Sequence, residues 1–291
     1  LGDCILPGLI NSFGDLLCEG EYHLHSRFRS AVNFLSGDSL ASVVTHCVGP
    51  GPMNIVVDGA AVVESLTICR DSILLNGISF PRSAEMRYDS RVNISKVLDT
   101  EQLRINIAVA SNCLLESSSP RSLVFLLDGA RDVGSESSFE REFVRRTRMG
   151  AALLFGGNAK TGTLALRGLG FGLTPSGDDF LSGVLTAYVT VARHPGIDFD
   201  EESEIIYRNG RGRNPMSNAL LRCAKDGFLP EKYKTAVEAV VNHDKSSIGR
   251  PIRTLLEVGE TSGADFAVGL VLGLKNVIGS KGHQKWLYAA A

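Results

Sequence analysis

Residues 168–185 read GLGFGLTPSGDDFLSGVL, and residues 262–271 read SGADFAVGLV. In the first stretch Gly168, Gly170 and Gly172 alternate with apolar residues. A Thr-Pro-Ser-Gly turn and an Asp pair follow, and an apolar pattern begins at once. Phe180, Leu181, Val184, Leu185, Tyr188, Val191 and Ala192 recur at helical spacing, which predicts a helix with one apolar face. Thr174 or Ser176 is the expected N-cap, since a hydroxyl there accepts a free first-turn N–H. Asp178 and Asp179 then fall in the first turn, where the helix dipole favours negative charge. Two readings compete. In one, this is a well-capped helix after a loop. In the other it is a binding loop, whose free N–H groups hold a small anion while the acids hold Mg²⁺ or move a proton. The stretch is neither a G-x-G-x-x-G dinucleotide fingerprint nor a P-loop.

The second stretch repeats the first. Ser176, Gly177, Asp179, Phe180 and Gly183 match Ser262, Gly263, Asp265, Phe266 and Gly269, and Thr261 stands where Pro175 does. In each copy the glycine lies four residues after the aspartate, on the same helix face. Such a bare patch admits either a closely crossing helix or a ligand. One reading is a duplicated helix pair that packs through glycine notches. The other brings both N-termini to one site faced by Asp178, Asp179 and Asp265. The second helix, carrying Phe266, Val268, Leu270, Val271, Leu272, Leu274, Val277 and Ile278, is apolar almost all round and is expected to be central.

The rest of the chain bounds the possibilities. Its 291 residues make one large domain or two ordinary ones. Thirty basic against 32 acidic residues leave a net charge of −2, which predicts no nucleic-acid footprint. The apolar runs are broken by polar residues or glycine, so no membrane span is expected. The start has no basic n-region, so no signal peptide is expected. Cys4, Cys18, Cys47, Cys69, Cys113 and Cys223 form no C-x-x-C pair and read as scattered buried thiols of a reduced, cytoplasmic protein. His23 and His25 would share a strand face, but no third zinc ligand is visible.

From Glu21 to Ser90 short β-rich runs alternate with turns such as Gly37-Asp38, Asp58-Gly59 and Asn76-Gly77. Expected strands are Leu40 to Cys47, Asn54 to Val57, Val62 to Cys69 and Ser72 to Leu75. Thr100 to Leu115 is expected to be a helix capped by Thr100. Leu123 to Leu127 reads as a strand or a short helix. From Phe139 onward helical patterns dominate. The expected class is therefore α+β. A β-rich N-terminal part, residues 1–130, forms an antiparallel sheet or small barrel. A mainly helical part, residues 131–291, carries the paired motifs.

Other residues are weaker candidates. Arg208, Arg211 and Arg213 lie in RNGRGRNPMS, a loop that either binds an anionic ligand or is simply solvated; Ser217 or Asn214 caps the helix after it. Arg250 and Arg253 flank Pro251, and one of them is expected to face the acids. His243 and Asp244 read as a surface helix end more readily than as an acid/base pair. No serine sits in a G-x-S-x-G elbow.

The stretch GLGFGLTPSGDDFLSGVL, with the later TSGADFAVGLVLGL, resembles the AllH-type subunit family of oxamate carbamoyltransferase, formerly grouped as putative carboxylases. HSRFRSAVNFL (25–35) and MSNALLRCAKDGFLPE (216–231) resemble other parts of that family, and Phe171 stands where its motif usually has Pro. The resemblance implies a subunit working with other proteins. Their assembly moves a carbamoyl group between oxamate and phosphate in allantoin breakdown. The resemblance assigns no residue roles; the residues themselves place Gly170, Gly172, Thr174, Ser176, Gly177, Ser262, Gly263 and Arg253 at the expected anion site, with the Gly177 and Asp178 amides as donors to a developing oxyanion. Asp178, Asp179 and Asp265 carry the chemistry, and Asp178 with Asp179 would hold any Mg²⁺. The expected partners are other subunits of a hetero-oligomeric transferase and a small anionic substrate, with a homo-oligomer of the chain as a further option and with no nucleic acid or membrane. Two other functions fit the residues: a stand-alone Mg²⁺-dependent phosphoryl-transfer or carboxylase-like enzyme, and a non-catalytic assembly protein whose glycines only pack helices. Asp179 is echoed in both copies while Asp178 is matched by Ala264, which favours Asp178 as the chemical residue.

Overall fold

A computed structural model describes residues 10–58, 62–94, 99–129, 137–170, 172–192, 198–242 and 245–280. Phe171, His243 and Asp244 lie outside the described residues. The chain divides into two compact units, Leu1–Arg91 with Phe228–Lys234, and Val92–Gly227 with Thr235–Ala291.

The first unit is a nine-stranded sheet: β1 (Ile10–Gly14), β2 (Gly20–Arg27), β3 (Ala31–Ser36), β4 (Ser39–Val44), β5 (Asn54–Val57), β6 (Leu66–Ile68), β7 (Ser72–Leu75), β8 (Ile78–Pro81) and β9 (Arg87–Tyr88). The order is β8-β7-β6-β2-β3-β4-β5-β1-β9. The turns set most of it. Asn76 (φ 51) and Gly77 (φ 79) are both left-handed, the geometry that folds β7 directly onto β8 with Leu75 opposite Ile78. The sheet is mixed, because β4 pairs parallel to β5 and β1 parallel to β9. Among the described residues it stays open between β8 and β9. Phe34, Ile55, Leu66, Ile68, Ile73 and Leu75 are the fully buried residues that hold it. The α+β class expected from sequence is the observed one, with a mixed sheet in place of an antiparallel one. His23 and His25 are both exposed on β2. Cys18 and Cys47 are exposed rather than buried, and the described cysteines are all free.

The second unit is helical: α1 (Thr100–Ser117), α2 (Ser138–Phe155), α3 (Ala159–Leu166), α4 (Ser176–Val191), α5 (Asp200–Gly210), α6 (Pro215–Asp226), α7 (Glu231–Asn242, joining from Thr235), α8 (Gly249–Leu255) and α9 (Ser262–Ser280). Its helix α1 precedes residue 130, on the other side of the boundary drawn from sequence. Asp99, not Thr100, caps α1, with Oδ1 accepting from Glu101 N–H at 3.0 Å and Gln102 N–H at 3.2 Å. A carboxylate serves better here because it takes both orphan donors. Leu123–Leu126 is a short 3₁₀ helix.

The core of this unit is the pair α4 and α9. Every residue of α4 except Val189 is buried. In α9 the window Ser262–Gly279 has a mean hydropathy of 1.2, long and apolar enough to cross a membrane by composition, and 78% of it is buried inside the protein. The two helices meet backbone to backbone. A Cβ on Gly183 would stand 2.0 Å from the carbonyl oxygen of Phe266, and one on Gly269 would stand 2.1 Å from that of Phe180. Each motif glycine therefore seats the other copy's motif phenylalanine backbone.

Candidate functional site

The repeat seen in the sequence is larger in the structure. Leu169 N–H donates to Leu166 O as Val258 N–H does to Leu255 O, both at 3.0 Å. Gly177 N–H donates to Leu169 O at 2.8 Å, and Gly263 N–H to Val258 O at 3.1 Å. Cβ atoms on Gly177 and Gly263 would strike Leu166 O at 1.9 Å and Leu255 O at 2.0 Å. The units α3–loop–α4 and α8–loop–α9 thus share one backbone design. The first loop is three residues longer between these anchor points; the pattern of Ser247 to Glu257 predicts a helix where α8 lies, whereas α3, short and broken by Gly162, carries no clear pattern.

Both motif N-termini converge. Thr174 Oγ1 and Ser262 Oγ lie 3.1 Å apart, and Thr174 Oγ1 donates to Asp179 Oδ2 at 3.0 Å. The N-cap position of α4 is Pro175, with no side-chain cap bond; Thr174, expected to cap, bonds a carboxylate instead. Asp179 and Asp265 are 5% and 0% exposed. Burial pushes Asp179 well above the usual carboxylate range, and the nearby Asp265 and Asp178 charges add to the effect against the Ser262 and Thr174 hydroxyls. Burial raises Asp265 to about 6, opposed by the Leu123 N–H. That N–H donates to Oδ1 at 2.6 Å, while Oδ2 is buried with no hydrogen-bond partner among the described residues. The Ser176 and Thr261 hydroxyls lean toward this carboxylate and favour its charge without completing a bond. Asp179 and Asp265 therefore sit inside the helix pair.

Asp178 has a different outlook. It lines an open cleft of about 470 Å³ together with Arg167, Gly168, Pro175, Arg211, Gly212, Arg213 and Asn214. Three elements build that cleft. The α3–α4 loop brings Arg167 and Gly168, the start of α4 brings Pro175 and Asp178, and the α5–α6 loop brings residues 211–214. Gly168 N–H donates to Asp178 Oδ1 at 2.7 Å, which fixes the carboxylate. Burial raises the Asp178 pKa, opposed by that N–H, by the buried Ser217 hydroxyl beside it and by Arg167. Arg167 Nη1 donates to Asn209 O at 3.3 Å and Arg211 O at 3.2 Å, tying the two loops together. Arg211 lies 5.7 Å over the Tyr207 ring. Asn214 caps α6 by accepting from Met216 N–H at 2.9 Å and Ser217 N–H at 3.3 Å, and its amide donates to Leu173 O at 2.6 Å. Asn214→Ala is expected to lower stability by about 1 kcal/mol through the lost cap and to loosen the glycine loop, measurable by denaturant unfolding and by proteolysis near Leu173.

The sequence-predicted residues divide accordingly. Asp178 is on the cleft. Thr174, Ser176, Gly177, Ser262 and Gly263 serve the junction between the repeats. The Gly177 and Asp178 amides are already committed, to Leu169 O and to Pro175 O at 2.8 Å each, so they are not free oxyanion donors. Gly170 (φ 120) packs where a Cβ would stand 2.7 Å from Ser176 N; Gly172 (φ 91) has open space around it. Arg253 is exposed on α8 with its guanidinium against Gly249, and neither it nor Arg250 lines the cleft. Arg208 is ion-paired with Glu204, whereas Arg211 and Arg213 line the cleft. Arg167 was not singled out from sequence; its signal was its place one residue before the first loop glycine. Among the described residues no group of three or more His, Cys, Asp or Glu side chains is arranged to hold a metal ion.

The model of the family described as oxamate carbamoyltransferase subunit AllH matches residues 166–274, just over a third of the chain. No solved structure matches the chain.

Proposed function

We propose that this chain is a subunit of an oxamate-carbamoyltransferase-type assembly and that the arginine cleft holds a small anionic reactant of the transfer. The observation that carries the reading is the convergence of Arg167, Arg211 and Arg213 on a cleft whose lining includes one carboxylate, Asp178. Every residue of that cleft lies inside the stretch matched by the family model. Guanidinium groups bind carboxylate and phosphate oxygens through paired N–H donors and oppose charge that builds on oxygen as a carbamoyl carbon becomes tetrahedral. Asp178, held by Gly168, accepts a hydrogen bond from the carbamoyl nitrogen and so orients the group. The remaining groups of the reaction belong to the partner subunits. The reading of the motif glycines as packing devices also has direct support, from the Gly183 and Gly269 contacts. It concerns the core of the helix pair and leaves the cleft free for chemistry.

In the reconstituted assembly Arg213→Ala is expected to lower kcat/KM by about 10- to 100-fold, the worth of one charge-assisted contact. Asp178→Asn is expected to lower kcat at least as much. Both variants should still co-elute with their partner subunits. A kcat/KM within about twofold of wild type in either variant would sink the assignment of the cleft.

A further inference from the structure

We infer that the seam between α4 and α9, where the two motif N-termini meet, is a monovalent cation site that takes sodium or potassium on the oxygens of Asp179, Asp265 and the hydroxyls beside them. An unpartnered atom points to it. Asp265 has no exposed surface, and its Oδ1 accepts from Leu123 N–H at 2.6 Å. Its Oδ2 is buried with no hydrogen-bond partner among the described residues. The Ser176 and Thr261 hydroxyls lie near this carboxylate without completing a bond to Oδ2. A buried carboxylate oxygen without a donor costs free energy, and a cation seated on it offsets that cost.

The donor set fixes the sign of the ligand. A helix N-terminus ordinarily offers N–H groups to an anion. Here those amides are committed, Asp179 N–H to Pro175 O at 3.1 Å and Asp265 N–H to Thr261 O at 2.8 Å. The seam presents oxygens instead. Thr174 Oγ1 lies 3.1 Å from Ser262 Oγ and 3.0 Å from Asp179 Oδ2, and Asp265 is near enough for its charge to act on Asp179. Carboxylate and hydroxyl oxygens are the donors that hard cations take. The charge balance fixes the valence. Asp179 and Asp265 stand in the first turns of α4 and α9, and each helix N-terminus is worth roughly half a positive charge. One monovalent cation cancels the negative charge that remains. A divalent ion would overshoot, and among the described residues no third acid is placed to complete its shell. Without the ion, the two carboxylates work against each other and against the fold.

The test is thermal unfolding of the full-length chain near pH 8 in tetramethylammonium, sodium or potassium chloride at one ionic strength. The active alkali ion is expected to raise Tm by about 3 °C or more at about tenfold over its Kd, and the rise should continue with the logarithm of its concentration. Asp265→Asn should fold, should be more stable than the wild type in tetramethylammonium chloride, and should keep less than about a third of the alkali-ion shift. A direct measurement then locates the ion. If potassium is active, crystals grown in rubidium chloride should carry an anomalous peak in contact with Asp265 Oδ2. If sodium is active, its sodium-23 resonance should broaden with the wild-type chain and not with Asp265→Asn. Equal Tm in the three salts, a full shift retained by Asp265→Asn, or a larger gain from magnesium or calcium chloride would each overturn the inference. So would the absence of both direct signals, which is the result expected of a seam filled by water alone.

Discussion

Gly183→Ala is expected to destabilise the protein by at least about 3 kcal/mol, beyond the usual range for adding one methyl group to a core. Helix propensity alone points the other way, since alanine in mid-helix is better than glycine by about 1 kcal/mol. The contact decides the sign. The new Cβ would stand 2.0 Å from Phe266 O and 2.7 Å from Leu270 N, both backbone atoms of α9. No rotamer change relieves such an overlap, so the helices must separate along their whole contact, and the Phe180 and Phe266 side chains lose their burial. Gly269→Ala should behave alike, because its Cβ meets Phe180 O at 2.1 Å. Gly129→Ala, with nothing within 4 Å of its Cβ, should stay within about 0.5 kcal/mol of wild type. Denaturant unfolding of the three variants measures this, and equal midpoints for Gly183→Ala and Gly129→Ala would refute the notch.

The contrast between these glycines shows what the sequence reveals and what it conceals. The spacing of Gly183 four residues after Asp179, repeated in Gly269 after Asp265, announces a bare helix face. It does not say whether a helix or a ligand fills it, because both need the same missing side chain. Only the partner helix answers, and α9 comes about 80 residues later. The strands near Asn76-Gly77 are legible because a two-residue turn with both residues at positive φ dictates its own hairpin. The parallel pairing of β4 with β5 is not, because the turn residues between them, Gly49 to Pro52, do not say which way the returning strand runs. Helix α3 hides for a related reason. It has eight residues and contains Gly162, whose Cβ would meet Leu154 N of α2 at 2.4 Å, so it exists by packing rather than by pattern.

The carboxylates divide by the same logic. Asp179 and Asp265 are repeated and lie at the seam between the repeats, each near a hydroxyl of the other copy. Asp178 has no counterpart, and it stands at the cleft, beside a loop that the second copy lacks in its longer form. Arg167 escaped notice because an arginine at a helix end is ordinary. Its role comes from Asn209 O and Arg211 O, some 40 residues on.

Asp265→Asn is expected to stabilise the protein above about pH 6 and to leave it unchanged below the ordinary carboxylate pKa of 3.8. The sign follows from proton linkage. In the unfolded chain the group titrates near 3.8, and in the folded chain near about 6. Between those values the folded state holds a proton that the unfolded state has released. Stability therefore falls as pH rises through that window, by about 3 kcal/mol in all, at about 1.4 kcal/mol per pKa unit. Asparagine removes the charge and with it the slope. It keeps the carbonyl oxygen that accepts from Leu123 N–H, and its amide can donate toward the Ser176 and Thr261 hydroxyls where Oδ2 now has no partner. Removing its charge also relieves Asp179, whose raised pKa draws on the same neighbour. Asp265→Ala shares that pH dependence but starts from a loss. It strands the Leu123 N–H, now bonded at 2.6 Å, and leaves a void at a residue with no exposed surface. The expected loss is about 2–4 kcal/mol at the low-pH end, and it shrinks by the same ~3 kcal/mol as pH rises through the window, because alanine also lacks the titrating charge. Denaturant midpoints across pH 4 to 8 separate the two effects. An Asp265→Asn difference that does not change with pH would mean that the buried carboxylate carries no raised pKa. If the pH-dependent gain appears, the chain holds at the seam of its repeat a charge that it would fold better without, and the constraint that keeps an acid there has to be sought in what the helix pair does rather than in its stability.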